Sequence, residues 1–243
     1  MKAIILCAGF GSRLGDLTRE IPKPMLLLNG RPLLSYILAN CKANGITNIA
    51  INLHFKPEII TDYFGDGSQF GLCIHYFFEE QLLGTAGSVR NMAGFIGNDK
   101  NFLVHYGDIL TDQNFISLQT FHQANANALA TLIVHTRLNS NSIVLMNSDR
   151  RITGFIERPS EEERQKYNST WVNSGIAIFS SSIIDQIPQD AVDLPKHVYC
   201  KIVDSQKLYA FPLDGYRCAI DSPDRYRAAD EAIITGKCNC PLL

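Results

Sequence analysis

Residues Lys2 to Cys7 form an apolar run, with Ile4, Ile5 and Leu6 at its centre, that opens directly into glycines. A continuous apolar run of this length suits a parallel strand buried on both faces better than a half-exposed one. After the glycines, Pro32 begins a segment whose apolar residues Leu34, Ile37, Leu38 and Cys41 recur at helical spacing, and Gly45 is a natural stop. The order is strand, loop, helix. It repeats: Asn48 to Leu53 reads as a strand, Pro57 to Phe64 as a short helix, Leu72 to Phe78 as a strand, Gly84 to Phe95 as a helix and Phe102 to Tyr106 as a strand. Such alternation predicts an α/β fold, Rossmann-like, with a mixed, mainly parallel central sheet flanked by helices. Beyond residue 130 strand-like runs dominate, at Ala130–His135, Ile143–Met146, Ile152–Ile156, Val172–Phe179 and Leu208–Pro212, which adds a small β-rich part. Ser160 to Thr170 is polar and reads as a loop or short helix.

In sheets of this kind ligands sit outside the carboxyl ends of the strands. Two segments reach that rim. Ala8-Gly9-Phe10-Gly11-Ser12-Arg13-Leu14 has glycines where successive backbone N–H groups can face phosphate oxygens, with Arg13 as a fixed cation. It fits neither the dinucleotide fingerprint nor the GxxxxGK[ST] phosphate loop. Farther on, Pro22-Lys23-Pro24 holds a lysine between prolines that restrict the backbone on both sides. The second segment, His105-Tyr106-Gly107-Asp108, ends a buried strand on a carboxylate that needs solvent or a cation beside it. Its hard oxygens suit magnesium, which takes few protein carboxylates and completes its shell with substrate phosphates.

Composition narrows the partners. A net charge of −2 over 243 residues gives no electrostatic footprint for nucleic acid or an anionic membrane, so any phosphate must be gripped locally. No apolar run is long enough for a membrane span and no signal-peptide pattern opens the chain, which predicts a cytoplasmic protein. The cysteines, seven and scattered, form no CxxC pairs, so a disulfide framework is not expected. Cys238 and Cys240 fall in a stretch expected to fray.

Taken in order, Gly9-x-Gly11-x-Arg13-Leu14, Leu17-Thr18, Pro22-Lys23-Pro24-Met25 and Gly30-x-Pro32-Leu33-Leu34 resemble the signature of the sugar-nucleotide pyrophosphorylases. The resemblance extends in pieces to about Tyr226. It implies one nucleotidyltransferase domain over 1–243, with a nucleotide-binding half at 1–128, a sugar-phosphate half at 129–230 and a C-terminal tail at 231–243. It implies catalytic roles for Arg13, Lys23 and Asp108, with Mg²⁺ as cofactor. The implied nucleotide site comprises Leu6, Ala8, Gly9, Gly11, Ser12, Arg13, Lys23, Glu80, Gln81, Gly84, Thr85 and Gly107. Leu83-Gly84-Thr85-Ala86-Gly87 is similar in wording to mannose-1-phosphate guanylyltransferases and their heptose-1-phosphate relatives, which favours GTP.

Phe155-Ile156-Glu157-Arg158-Pro159 resembles the family's FxEKP, with Arg158 in place of the phosphate-gripping lysine. Glu157, Arg158, Asn173 and Gly175 are thus the expected sugar-phosphate contacts. Near the C-terminus the sequence reads YRCAIDSPDRY where the family carries DIGTP. Ala219 then stands at the second metal-binding aspartate, and Asp221 becomes a displaced metal ligand, a sugar contact or part of a cap on Ser222-Pro223. The implied reaction condenses an NTP with a sugar 1-phosphate of heptose or mannose type. Alternatives are uridylyl, cytidylyl or thymidylyl transfer, or a non-catalytic sugar-nucleotide sensor, suggested by Ala219. A glycosyltransferase is disfavoured because no DxD occurs. Whether copies assemble into a homo-oligomer is left open.

Overall fold

A computed structural model describes all 243 residues. Its frame is a seven-stranded sheet. Strands β1 (Lys2–Leu6), β2 (Asn48–Leu53), β3 (Cys73–Phe78), β4 (Asn101–Tyr106), β5 (Ala130–Thr136), β6 (Trp171–Ser180) and β7 (Leu208–Pro212) lie in the order β7-β5-β6-β4-β1-β2-β3. β1 pairs β2, β2 pairs β3 and β7 pairs β5 in parallel, whereas β6 runs antiparallel to β5. The mainly parallel mixed sheet expected from the alternation is therefore present. Ala3, Ile4 and Ile5 have no exposed surface, as a strand covered on both faces requires.

The chain divides into two compact units. One comprises Met1–Leu82, Val104–Phe115 and Asp214–Leu243; the other comprises Leu83–Leu103 and Ile116–Leu213. In the first unit, the helix Leu33–Ala43 begins after Pro32 and stops before Gly45, whose φ of 75° lies in the left-handed region that favours glycine. Leu33, Leu34, Ile37, Leu38 and Cys41 are all buried on it. Just past β4, the chain makes a short strand, Ile109–Thr111, which pairs antiparallel with Arg217–Ala219. That ribbon was not legible in the sequence. The helix Pro223–Ile234 follows, capped by Ser222 with Pro223 in its first turn. The segment 231–243, expected to fray, begins inside this helix and then packs: Cys238 is buried, its N–H bonds Ala232 O at 3.0 Å, and Cys240 Sγ contacts Thr111 O at 3.0 Å.

In the second unit, the helix expected over Gly84–Phe95 is broken at Met92 (φ −91°, ψ 10°) into Gly84–Asn91 and Ala93–Ile96. Its first residue is under a strict demand. Gly84 has a φ of 70°, and a Cβ there would stand 2.3 Å from Val192 O, because the 191–194 segment lies against the helix start. Ala86 N–H bonds that same oxygen at 3.0 Å, and Leu194 N–H bonds Thr85 Oγ1 at 2.8 Å. Gly84→Ala is expected to cost roughly 2–4 kcal/mol from left-handed strain and overpacking, or roughly 5–15 °C of Tm in a chain of this size. A thermal melt checks it; an unchanged Tm would mean that the 191–194 segment does not hold this position. The polar stretch after β5 resolves as a helix, Glu161–Tyr167, with a complete capping box between Ser160 and Glu163.

Candidate active site

In the first unit the glycine loop and the aspartate segment meet. Gly107 N–H bonds Leu6 O at 2.8 Å, and a Cβ on Gly107 would lie 2.5 Å from Cys7 Sγ, so only glycine lets the two strand ends approach so closely. Beyond that contact Lys23 Nζ lies 3.0 Å from Asp108 Oδ2, with 14% and 31% of the two side chains exposed. The lysine is aimed by its surroundings: Pro22 is extended (φ −62°, ψ 144°), Lys23 to Met25 form a single tight turn, and Pro24 is buried. Gly11, at a φ of 67°, passes so close that a Cβ would stand 3.2 Å from the Cβ of Lys23 and from Thr18 Cγ2. Thr18 Oγ1 donates to Gly11 O at 3.0 Å and fixes the loop.

Gly9, Ser12 and Arg13 are exposed along this loop, Ala8 is buried behind it, and Leu6 is the last residue of β1. Asp16 forms an exposed pair with Arg19 at 2.7 Å and takes no part in the cluster. Two residues that the sequence reading missed hold the loop's origin. Asn52 Oδ1 accepts from Cys7 N–H at 2.7 Å, and Asn52 Nδ2 donates to Glu79 Oε1 at 2.8 Å, with both side chains buried. A lone asparagine inside the run Ile49-Ala50-Ile51-Asn52-Leu53 was the available signal. Glu80 and Gln81, the expected base readers, are exposed just beyond Glu79.

The charge at this rim comes from few groups. His105 is buried and desolvation pushes its pKa down to about 4, so it is neutral near pH 7. Burial likewise drives the Cys7 thiol far above its ordinary range, with the nearby Asp108 charge adding to the effect, so it carries no negative charge here. Lys23, Arg13 and Asp108 remain the charged groups of the loop cluster. Asp108 Oδ2 is on the lysine and Oδ1 is left to another donor or cation.

The C-terminal departure has a clear layout. Ala219 pairs with Ile109, and Ile220 N–H bonds Asp108 O at 2.8 Å, so this segment runs beside Asp108. Asp221, expected as a displaced metal ligand, faces Arg225 one helical turn on, with both oxygens near its Nη1 (3.3 and 3.2 Å). No group of three or more metal-ligating side chains forms anywhere in the structure. Asp108 therefore offers a single hard-oxygen site, a donor set that fits magnesium if substrate oxygens complete it.

In the second unit, Glu157 ends the strand Ile152–Glu157 and Arg158 follows with a φ of 53°, its N–H bonded to Asn141 O at 2.7 Å. Desolvation, reinforced by Asp193, raises the Glu157 pKa to about 7, while Arg158 pulls the other way. Asp193 was missed by sequence reading, since nothing links it to a residue so far along the chain. Asn173 and Gly175 form a turn of their own: Gly175 N–H bonds Asn173 Oδ1 at 3.1 Å, Gly175 has a φ of 77°, and the β5–β6 register shifts there. Gly84 and Thr85 are held by the 191–194 segment as described above.

No helix is long and apolar enough to cross a membrane. The "Nucleotidyl transferase" family profile matches residues 2–216. The mannose-1-phosphate guanylyltransferase of Mycobacterium tuberculosis is 30% identical, aligned over 100% of this chain and 67% of its own length. The UTP–glucose-1-phosphate uridylyltransferase of Synechocystis is 34% identical over 88% of this chain and 58% of its own. The chain thus spans about two thirds or less of the length of these curated relatives. Among solved structures, a UDP-glucose pyrophosphorylase complexed with UDP-glucose has the same fold, with a TM-score of 0.83 at 18% identity over 97% of this chain and 98% of that one. With its profile match running from the first strand past Asp108 to residue 216, the chain belongs to the nucleotidyl transferase family.

Proposed function

We propose that the chain is a sugar-1-phosphate nucleotidyltransferase, favouring GTP and a sugar 1-phosphate of mannose or heptose type. The observation that carries this reading is the pairing of Lys23 with Asp108 beneath the glycine loop, where one cation and one hard-oxygen donor stand together. An oxygen of the sugar phosphate attacks the α-phosphorus of the NTP; the bond to the bridging oxygen breaks and pyrophosphate leaves. A phosphate monoester needs no protein nucleophile, so the chain's work is orientation and charge neutralisation. The loop N–H groups from Gly9 to Arg13 hold phosphate oxygens, and Lys23 balances charge building at the α-phosphate and the departing pyrophosphate. In the first unit Leu6, Ala8, Gly11, Ser12 and Gly107 shape the nucleotide's seat, with Glu80 and Gln81 reading the base edge; Gly84 and Thr85 are the second unit's nucleotide contacts. Glu157, Asn173 and Gly175 receive sugar hydroxyls, and Arg158 grips the sugar phosphate through paired N–H bonds.

Asp108 would hold a magnesium ion, which would supply charge neutralisation to the substrates' phosphates. Asp221 follows the segment that runs beside Asp108, and its carboxylate is matched by Arg225. The relatives named for GTP and UTP favour different bases, and the Leu83–Gly87 wording supports the guanine side. Purified protein with Mg²⁺, a panel of NTPs and several sugar 1-phosphates is expected to release pyrophosphate fastest with GTP. No release with any pair would overturn the reading, and tight binding of a nucleotide sugar without turnover would support a sensor instead.

The raised Glu157 pKa gives a pH signature. In the unfolded chain the group ionises near 4.5 and in the folded chain near 7, so folding favours its protonated form. Its contribution to stability is thus largest below about 4.5 and is lost as pH rises through about 7. Over the same window the carboxylate forms and becomes the better acceptor for sugar hydroxyls. The KM for sugar phosphate should fall as pH rises through 7. Because the substrate phosphate also titrates near 6, the comparison is with Glu157→Gln, which should raise KM and flatten the profile above pH 6.5 to that of the phosphate alone. Identical profiles in the two proteins would remove Glu157 from sugar binding.

A further inference from the structure

The second unit contains a cavity of about 570 Å³ whose lining includes none of the residues assigned to the reaction. It lies at the first residue of β4, Asn101, at the last of β6, Ser180, and at the end of the helix Phe115–Ala124. Its volume falls in the range of small-molecule sites, and polar side chains stand in its wall: Lys100, Asn101, His122, Gln123, Asn125 and Ser180 to Ser182. No carboxylate lines it.

The wall is built around a buried histidine. His122 is 2% exposed, its Nδ1 lies 2.8 Å from Thr131 Oγ1 and its Nε2 lies 3.4 Å from Ser180 Oγ. Ser180 donates its hydroxyl proton to Ala128 O at 2.6 Å, with Asn101 Oδ1 a longer second acceptor at 3.5 Å, so toward the imidazole it accepts. The tautomer follows: Nε2 carries the proton and Thr131 donates to Nδ1. Desolvation pushes the His122 pKa down to about 4, and the relay holds the ring neutral near pH 7. The Ser181 hydroxyl is likewise committed, to Asp99 O. Ser180 and Ser181 thus present lone pairs to the cavity, Ser182 is exposed with its hydroxyl available, and Lys100 is the sole charged group of the lining.

We propose that this cavity is a second ligand site, for a small phosphorylated polyol: hydroxyls of the ligand donate to Ser180 and Ser181, and its phosphate is bound by Lys100 and the Ser182 hydroxyl. A neutral sugar leaves the ammonium without a counter-charge, and a bare phosphate leaves the serine acceptors facing an acceptor-rich ion. One group of each kind satisfies the wall.

Glycerol 3-phosphate is the probe, with glycerol and inorganic phosphate as its separate halves, followed by amide and imidazole NMR shifts of the full chain. Saturable shifts are expected at Ser180, Ser181, Ser182 and His122 with glycerol 3-phosphate, and weaker binding with either half. Lys100→Ala and Ser182→Asp, both at exposed positions, should each weaken binding about tenfold or more, the effect of losing or opposing a charge-assisted bond. Lys23→Ala should leave these shifts unchanged, which separates this site from the reaction site. Absence of saturable shifts at those residues, their survival in either variant, or equal binding of inorganic phosphate would overturn the proposal.

Discussion

Lys23→Ala is expected to lower kcat for pyrophosphate release by about 100-fold to 1,000-fold, the range for removing one preorganised group that faces developing charge. The size follows from the packing. The lysine is mostly buried, set in a turn between two prolines and lies against Gly11, so its ammonium has little freedom to be replaced by a neighbour. Arg13 is exposed, and His105 is neutral near pH 7. The fold should survive, because Asp108 keeps about a third of its side chain in solvent once the ammonium is gone and its charge is not left buried. Steady-state kinetics and a thermal melt on the same preparation check both halves. An unchanged kcat would remove the lysine from the chemistry, and a collapsed melt would show that its loss acts through the fold.

Wherever a local pattern and a long-range demand coincided, the sequence was a good guide. β2 and β7 have the bounds that the apolar runs Asn48–Leu53 and Leu208–Pro212 suggested, and the helix after Pro32 ends where Gly45 requires. The failures have physical causes. The helix Pro223–Ile234 buries only Ala229 and Ala232, so it lacks the apolar stripe by which helices are read, although its Ser-Pro-Asp start was in plain view. Ile109–Thr111 is too short to show a period. The packing of Val192 against Gly84 was hidden too, because no sequence pattern reveals a contact between residues so distant in the chain.

The site divides in the same way. Arg13, Lys23 and Asp108 stand out in the sequence because their types sit at fixed offsets from glycines and prolines, and the structure brings the last two within 3.0 Å of each other. The Asn52–Glu79 link and the Asp193 charge beside Glu157 were not, because they arise from tertiary proximity. Asp221 shows a third case. Its partner Arg225 is one helical turn away and would have been evident had the helix been assigned, and the pairing changes a carboxylate free for metal into one already matched by a guanidinium.

With Asp221 so matched, the metal reading depends on Asp108, and Asp108→Asn tests it. The amide keeps the shape and can still accept from Lys23, so orientation of the lysine is retained while the negative charge is lost. We expect kcat/KM to fall by roughly 100-fold or more, as for other lost electrostatic groups at a reacting phosphate, and half-saturation by Mg²⁺ to move to higher concentration. Lys23→Ala should shift Mg²⁺ half-saturation the other way or leave it unmoved, because the ammonium 3.0 Å from Asp108 Oδ2 competes with a metal for the same carboxylate. The two variants therefore lower turnover alike but separate in their metal dependence. Were Asp108→Asn to reduce the rate with Mg²⁺ dependence unaltered, the aspartate would serve only to aim Lys23, and the cation would have to be held by the substrates' own phosphates.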